Sequence, residues 1–472
     1  MFITRAALSA LLSFAVCSWA TGAFAADWTE QDLAAAAALR DRAISSGTQA
    51  FDHVESLVTE VGPRFAGTEG DAAGVRWALN RLGNLGFTNV RSQDVLVPRW
   101  IRGNAELTLL GKVPIELTGV SLGGSVGTSD AGLEGVVLRV ESFDQLQNLP
   151  ANAAANKIVF IDHRMERSRA GSAYSSVVRG RVQGPSVAAK LGAIALVIRS
   201  VGTSDDRIAH TGSLVYAIDA PRIPAFALAN PDADLLARQV AAGKPVRLRL
   251  KSSARELPPV WSANVIGEIP GRERASEIVL LGAHLDSWDL GHGALDDGAG
   301  VAIVVEAARL ISRLDRKPNR TIRVVLFANE EFGLSGAREY AKQIGDEVGR
   351  HVIAMEADVG QGPVWRLRSQ VTQEMLPAIA AIQSVLEPLN VELGGNDATG
   401  GADVGPLRTM GVPVLDLSLD ASSYFDVHHT VNDTLLKIDP KILDQSVAAY
   451  AAAAYLAATK EGDFGRLPSS GE

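Results

Sequence analysis

Ile278-Val279-Leu280-Leu281-Gly282-Ala283 is an unbroken apolar run that ends on His284-Leu285-Asp286, and Ala294-Leu295-Asp296-Asp297-Gly298-Ala299-Gly300 follows shortly after. An apolar run without alternating polar residues is the pattern of a strand covered on both faces, as in parallel sheets. The residues downstream repeat the theme. Helical spacing occupies 299–314, 334–344 and 373–386, and strands read at 321–328, 352–357 and 412–417. An alanine-rich helix over 440–458 closes the chain. Strands alternating with helices predict an α/β fold: a mostly parallel, mixed central sheet with helices on both faces. In such sheets the reactive side chains gather beyond the carboxyl ends of the strands.

Upstream, residues 51–61 and 69–85 read as helices and 88–97 as a strand. Between 104 and 253 the texture changes. Short strands at 107–110, 135–140, 157–161, 193–198, 222–227 and 246–250 are broken by helices at 186–191 and 232–241. His163 and His210 lie here in no metal-like pattern. This reads as a β-rich inserted domain, 104–253, dividing a main domain made of 26–103 and 254–472.

Of the 472 residues 47% are hydrophobic and 21% charged, the usage of a globular chain. A net charge of −9 argues against a nucleic-acid binder, which needs clustered Lys and Arg to neutralise phosphate. The one long apolar run is at the start. A positive Met1–Arg5, an apolar 6–19 and the small-x-small Ala23-Phe24-Ala25 predict a signal peptide, 1–25, and export to the periplasm or beyond. An N-terminal anchor is the alternative. Cys17, the only cysteine, falls in the removed segment, and Val16 before it makes a poor lipoprotein signal. After cleavage no membrane association and no disulfide are expected.

The strand ends carry chemistry. His284 and Asp286 follow the first strand, with Asp296 and Asp297 after them; Glu330-Glu331 follow the second; Asp358 follows the third; and His428-His429-Thr430-Val431-Asn432-Asp433-Thr434 follows the fourth. Each motif alone has a plain structural reading: a surface pair, a turn, a helix start. Together they place carboxylates and imidazoles on one sheet edge. Imidazole nitrogen and carboxylate oxygen suit zinc. A pair of ions needs a carboxylate that touches both, and a further carboxylate must stay off the metals to act as general base.

These residues resemble the co-catalytic dizinc exopeptidases, and within them the carboxypeptidase Q-like branch. The resemblance spans the chain after residue 25 and includes Tyr424-Phe425 before His428-His429, and Val97-Pro98-Arg99-Trp100 at the entry to the insert. It implies two zinc ions per chain, held by His284, Asp296, Glu331, Asp358 and His429 rather than His428. Asp296 would bridge the ions, with a cis bond after it, Glu330 would be the general base, and Asp286 would orient His284 through its other ring nitrogen. The insert would be protease-associated-like, a lid or substrate-shaping element. Gly394–Gly405, with Asp403, resembles a substrate-side loop, and Tyr424 is a candidate oxyanion donor. The resemblance also implies a homodimer and a short peptide substrate with free termini, cleaved by dipeptidase or carboxypeptidase action. An aminopeptidase with the same core, a glutaminyl cyclase-like enzyme with one zinc and a non-catalytic binding module remain alternatives.

Overall fold

Along the strand Arg274–His284, alternate residues enter different cores. Val279, Leu281 and Ala283 pack with the helices Ala50–Glu60, Ala299–Ser312 and Pro440–Thr459. Ile278 and Leu280 pack with Tyr340 of the helix Ser335–Ile344 and with Leu407. Helices therefore cover both faces of its inner half, which is why Ile278–Ala283 has no polar position. The computed structural model describes residues 27–469, so the signal-peptide reading of 1–25 and Cys17 lie outside the described residues.

The main sheet has eight strands. In spatial order they are Thr88–Ile101, Arg255–Ile269, Arg320–Phe327, Arg274–His284, His351–Glu356, Val414–Leu419, Val364–Gln370 and Glu392–Leu393. The central four are mutually parallel, and antiparallel strands flank them. The register sets His284 opposite Phe327, and Gly282 opposite Glu356, so the neighbouring strands end level. The α/β class stands as expected. Besides the two-residue Glu392–Leu393, two strands of this sheet are absent from the sequence reading, Arg255–Ile269 and Val364–Gln370. Both are flanking strands with many polar residues, and Arg255–Ile269 carries Pro258-Pro259 in the half that only Thr88–Ile101 pairs. Pairing at the sheet margin decided them, not local hydrophobicity.

Residues 105–252 form a second eight-stranded mixed sheet. It is less purely β than the sequence suggests. Helices Phe143–Gln147 and Tyr174–Val182 join the expected ones. Tyr174–Val182 is rich in Ser, Gly and Val, poor helix formers; it holds because Val177, Gly180 and Arg181 are buried on one side. The chain enters and leaves this unit at one point, where the Asn104 N–H donates to the Ser253 hydroxyl and the Ser253 N–H to the Asn104 carbonyl.

The closing helix Pro440–Thr459 is buried almost all round from Ser446 to Thr459. A helix enclosed on every side must be apolar throughout, and its alanines let neighbours approach closely. Fully buried Arg64 performs a different task. Its guanidinium donates to the carbonyls of Leu285 at 2.7 Å, Gly62 at 3.1 Å, His292 at 2.8 Å and Gly293 at 2.9 Å. It thus ties the loops on either side of His284 and Asp296 into one piece. Arg64→Met fills similar space but leaves those carbonyls unpaired. It is expected to destabilise the protein by roughly 3–5 kcal/mol, read as a lowered midpoint in denaturant unfolding; an unchanged midpoint would show that water replaces the guanidinium.

Candidate metal centre

The loop after His284 is built to deliver a carboxylate. The Asp433 side chain accepts the N–H of Leu295 at 2.7 Å and of Asp296 at 3.1 Å. Asp297 turns back, accepting the His284 N–H and the Gly300 N–H, each at 3.0 Å. The bond between Asp296 and Asp297 is cis. Gly300 then lets the next helix pass the Ala357 carbonyl, where a Cβ would sit 2.1 Å from that oxygen.

Asp296 projects between two histidines. Its Oδ1 lies 3.1 Å from His284 Nε2, and its Oδ2 lies 3.3 Å from His429 Nε2. Asp358 Oδ1 stands 3.4 Å from His284 Nε2, and Glu331 Oε2 stands 2.9 Å from His429 Nε2. Two clusters result, His284–Asp296–Asp358 and Asp296–His429–Glu331, sharing one carboxylate. His428 stacks on His429 with ring centroids 3.5 Å apart, but its Nε2 is 3.9 Å from Asp296. All five sequence-selected ligand candidates converge.

The donor set fits a cation. Both histidines point their Nδ1 at a carbonyl oxygen: His284 at Asp286, 3.0 Å, and His429 at Thr211, 3.2 Å. A carbonyl only accepts, so Nδ1 carries the proton and the Nε2 lone pair faces the carboxylates. A lone pair and acceptor oxygens have no reason to meet unless something positive lies between. Atoms ~2.0–2.2 Å from one zinc stand about 3.4 Å from each other in a tetrahedron, close to the spacings here. Asp296 Oδ2 and Glu331 Oε1 are buried without a hydrogen-bond partner. Among the described residues no Lys or Arg forms an ion pair with Asp296, Glu331 or Asp358.

Two positions depart from the sequence reading. Asp286 holds His284 mainly through its main-chain oxygen; its carboxylate is 3.7 Å from Nδ1 and instead accepts the Glu330 N–H at 3.0 Å. The insert is also more than a cover. His210 Nδ1 meets the His428 carbonyl at 2.7 Å, the Thr211 N–H donates to the His429 carbonyl at 3.0 Å, and the Thr211 carbonyl receives Nδ1 of His429. These contacts hold His429 at φ 60°, a left-handed conformation uncommon for a non-glycine residue. Nothing local in Ala209-His210-Thr211 signals this, because the contact spans 218 residues of chain.

Glu330 lines the same cavity of about 380 Å³ as Asp296, Glu331, Asp358, Tyr424 and His429. Burial raises its carboxyl well above the usual range, and Asp358 adds to this. Two further acids are buried nearby: Asp403, of the loop singled out in the sequence, and Glu356, which is not singled out there. Glu356 accepts the N–H groups of Ala402 and Val404, and burial pushes it up to about 8.

Residues 264–454 match the family model for peptidase family M28. Carboxypeptidase Q of Mus musculus is 33% identical over 410 residues, covering 87% of this chain and 86% of the relative. Among solved structures, a peptidase M28 precursor from Shewanella amazonensis SB2B is 46% identical with a TM-score of 0.91, covering 93% of this chain and 99% of that one. A zinc aminopeptidase from Bacillus subtilis, 20% identical, shares the fold with a TM-score of 0.64 over 89% of this chain and 97% of its own.

Without a cation, protons compensate part of the clustered charge: burial works against ionisation of Asp296, yet its contacts with His284 and His429 hold that carboxyl well below the usual range, and the protons sit on its neighbours. Burial opposes charge on His429, but Glu331 and Asp296 against it carry its pKa up to about 9. Burial, with Asp296 close by, lifts Glu331 to about 7. Both folded values exceed the unfolded ones, so each group's contribution is present at low pH and lost as pH rises, from 4.5 to about 7 for Glu331 and from 6.5 to about 9 for His429. Chelator-treated protein is therefore expected to melt at lower temperature at about pH 9 than at about pH 6, and added Zn²⁺ to raise the melting temperature more at the higher pH. Calorimetry with and without Zn²⁺ checks this; a zinc shift independent of pH would overturn the assigned donors.

Proposed function

We propose that this chain, which belongs to peptidase family M28, is an exported exopeptidase using two zinc ions to hydrolyse dipeptides or short peptides with free termini. Its class is metallo-exopeptidase. The observation that carries the reading is Asp296, whose two oxygens each face one histidine. His284, Asp296 and Asp358 would hold one ion; Asp296, Glu331 and His429 would hold the other. When bound, such a pair polarises the scissile carbonyl and lowers the pKa of an attacking water.

The chain's own groups supply the rest. Glu330 would take the proton of the water and pass it to the leaving amine. Its raised proton affinity suits a base that must also act as an acid. Its main chain is fixed by the Asp286 carboxylate, so the carboxyl keeps its place as the proton moves. Tyr424, in the wall of the same cavity, would donate to a developing oxyanion. Tyr174, Arg181 and Ser213 of the insert wall the other side. A cavity of about 380 Å³ walled by both units and open on one side has room for a short peptide. Export is supported by the sequence of residues 1–25, and a homodimer by the family resemblance alone.

Glu330→Gln is expected to lower kcat by at least ~10²-fold while zinc content stays unchanged, and Glu331→Gln to lose metal. Metal analysis beside steady-state kinetics checks both; the opposite pattern would exchange the two roles. The substrate reading is tested with one dipeptide in free, N-acetylated and C-amidated forms. The free form should be cleaved fastest. Rapid hydrolysis of the amide with the acetylated form inert would mark an aminopeptidase, and cleavage within a long peptide would exclude both readings.

A further inference from the structure

Arg102 sits where the chain passes from the strand Thr88–Ile101 into the insert, and it is 8% exposed. Its donors are divided between the two units. Toward the main domain, Nε donates to the Asp289 carboxylate at 3.0 Å, and Nη2 donates to the same group. Toward the insert, Nη1 donates to the Ser121 carbonyl and, at 2.8 Å, to the Thr211 hydroxyl. The guanidinium also lies over the rings of Trp100 and Trp288, 5.0 and 5.4 Å from their centroids. A planar fork of five donors can grip a carboxylate along one edge and keep N–H groups for other acceptors, which an ammonium cannot do in one geometry. Among the described residues no other cation forms an ion pair with Asp289.

Both ends of this clamp lead to His429. Thr211 is fully buried and spends its main chain on that residue: its N–H donates to the His429 carbonyl at 3.0 Å, and its carbonyl accepts from Nδ1 of His429 at 3.2 Å. The Thr211 hydroxyl accepts from Arg102 and donates to the Ser121 carbonyl at 3.2 Å, so its side chain is fixed in both roles. Asp289 follows Trp288, whose ring centroid stands 5.5 Å from that of His429. A Cβ at Gly123 would fall 2.1 Å from the Trp288 ring, so the missing side chain lets the insert lie directly on the indole. His284 is held differently, by the Asp286 carbonyl and the Asp297 carboxylate of its own unit. We infer that Arg102 is a positioning residue for His429: by fixing Thr211 against Asp289 it sets the imidazole that, with Asp296 and Glu331, would hold one of the two ions. This rests on the two-zinc reading and deepens it. Occupancy of one position depends on how the insert is seated, while the position at His284, Asp296 and Asp358 does not.

The test measures zinc affinity of the metal-free full chain by competition with a chromophoric chelator, in wild type, R102Q, D289N, E331Q and R102Q/E331Q, beside kcat on alanyl-alanine at rising zinc. Wild type should bind two ions. R102Q should bind one as wild type does and the other about 10-fold more weakly, the lower end of the cost of losing a group that orients a ligand. D289N should shift the same ion in the same direction, and it carries the test if R102Q does not fold. In E331Q, already short of a donor beside His429, the ion that remains should be indifferent to R102Q. The kcat of R102Q should be low at limiting zinc and return toward wild type in excess zinc, which a merely structural loss would not do. Equal weakening of both ions, two unchanged affinities, or a loss of kcat that excess zinc does not restore would each overturn the proposal. Weakening of the remaining ion in R102Q/E331Q would move the effect to the His284 position and overturn the assignment. A wild type that binds a single ion would sink the two-zinc reading, and this inference with it.

Discussion

The arrangement turns on one carboxylate placed between two imidazoles. Asp296 is buried, and each of its oxygens faces a histidine ring nitrogen. Such a group cannot be left to find its own place, because a buried acid that misses its partners costs several kcal/mol. Its surroundings are correspondingly over-determined. Asp433 holds the two N–H groups that lead into it, Asp297 locks the backbone of His284, and Arg64 gathers the carbonyls of the loops on both sides. These three charged side chains bind main chain rather than metal donors. Their task is to make a loop as rigid as a strand.

The same principle explains the level ends of the parallel strands. Because His284 pairs with Phe327 and Gly282 with Glu356, residues one to four positions beyond each strand arrive at one height. Glu330, Glu331 and Asp358 then need only short turns to reach Asp296. Hydrogen-bond register in the sheet thus becomes distance between donor atoms above it. The fourth contribution is different. His429 arrives on a longer loop after Val414–Leu419, and its orientation is borrowed from Thr211 in the insert. The metal centre is therefore not the property of one unit. The insert holds one imidazole by its backbone and lines the cavity with Tyr174, Arg181 and Ser213.

Much was legible in the sequence because it was local. An apolar strand followed at once by His284-Leu285-Asp286 carries its own signal, and so do Asp296-Asp297-Gly298 and Glu330-Glu331, since strand ends and their next residues travel together. By itself the sequence therefore determined the α/β class, the helices on both faces and the carboxylates and imidazoles at the strand ends; the choice of His429 over His428 and of Glu331 over Glu330 as ligands came from the family resemblance. What escaped was set by pairing across long spans. The strand Arg255–Ile269 exists because Thr88–Ile101 lies beside it, and the helix Tyr174–Val182 because one side of it is buried. Only the tertiary structure could decide that Asp286 serves Glu330 as much as His284, that Thr211 holds His429, and that Arg102 joins Thr211 to Asp289. The physical reason is that periodicity reports which side of an element is buried, whereas the identity of the atom it is buried against depends on chain hundreds of residues away.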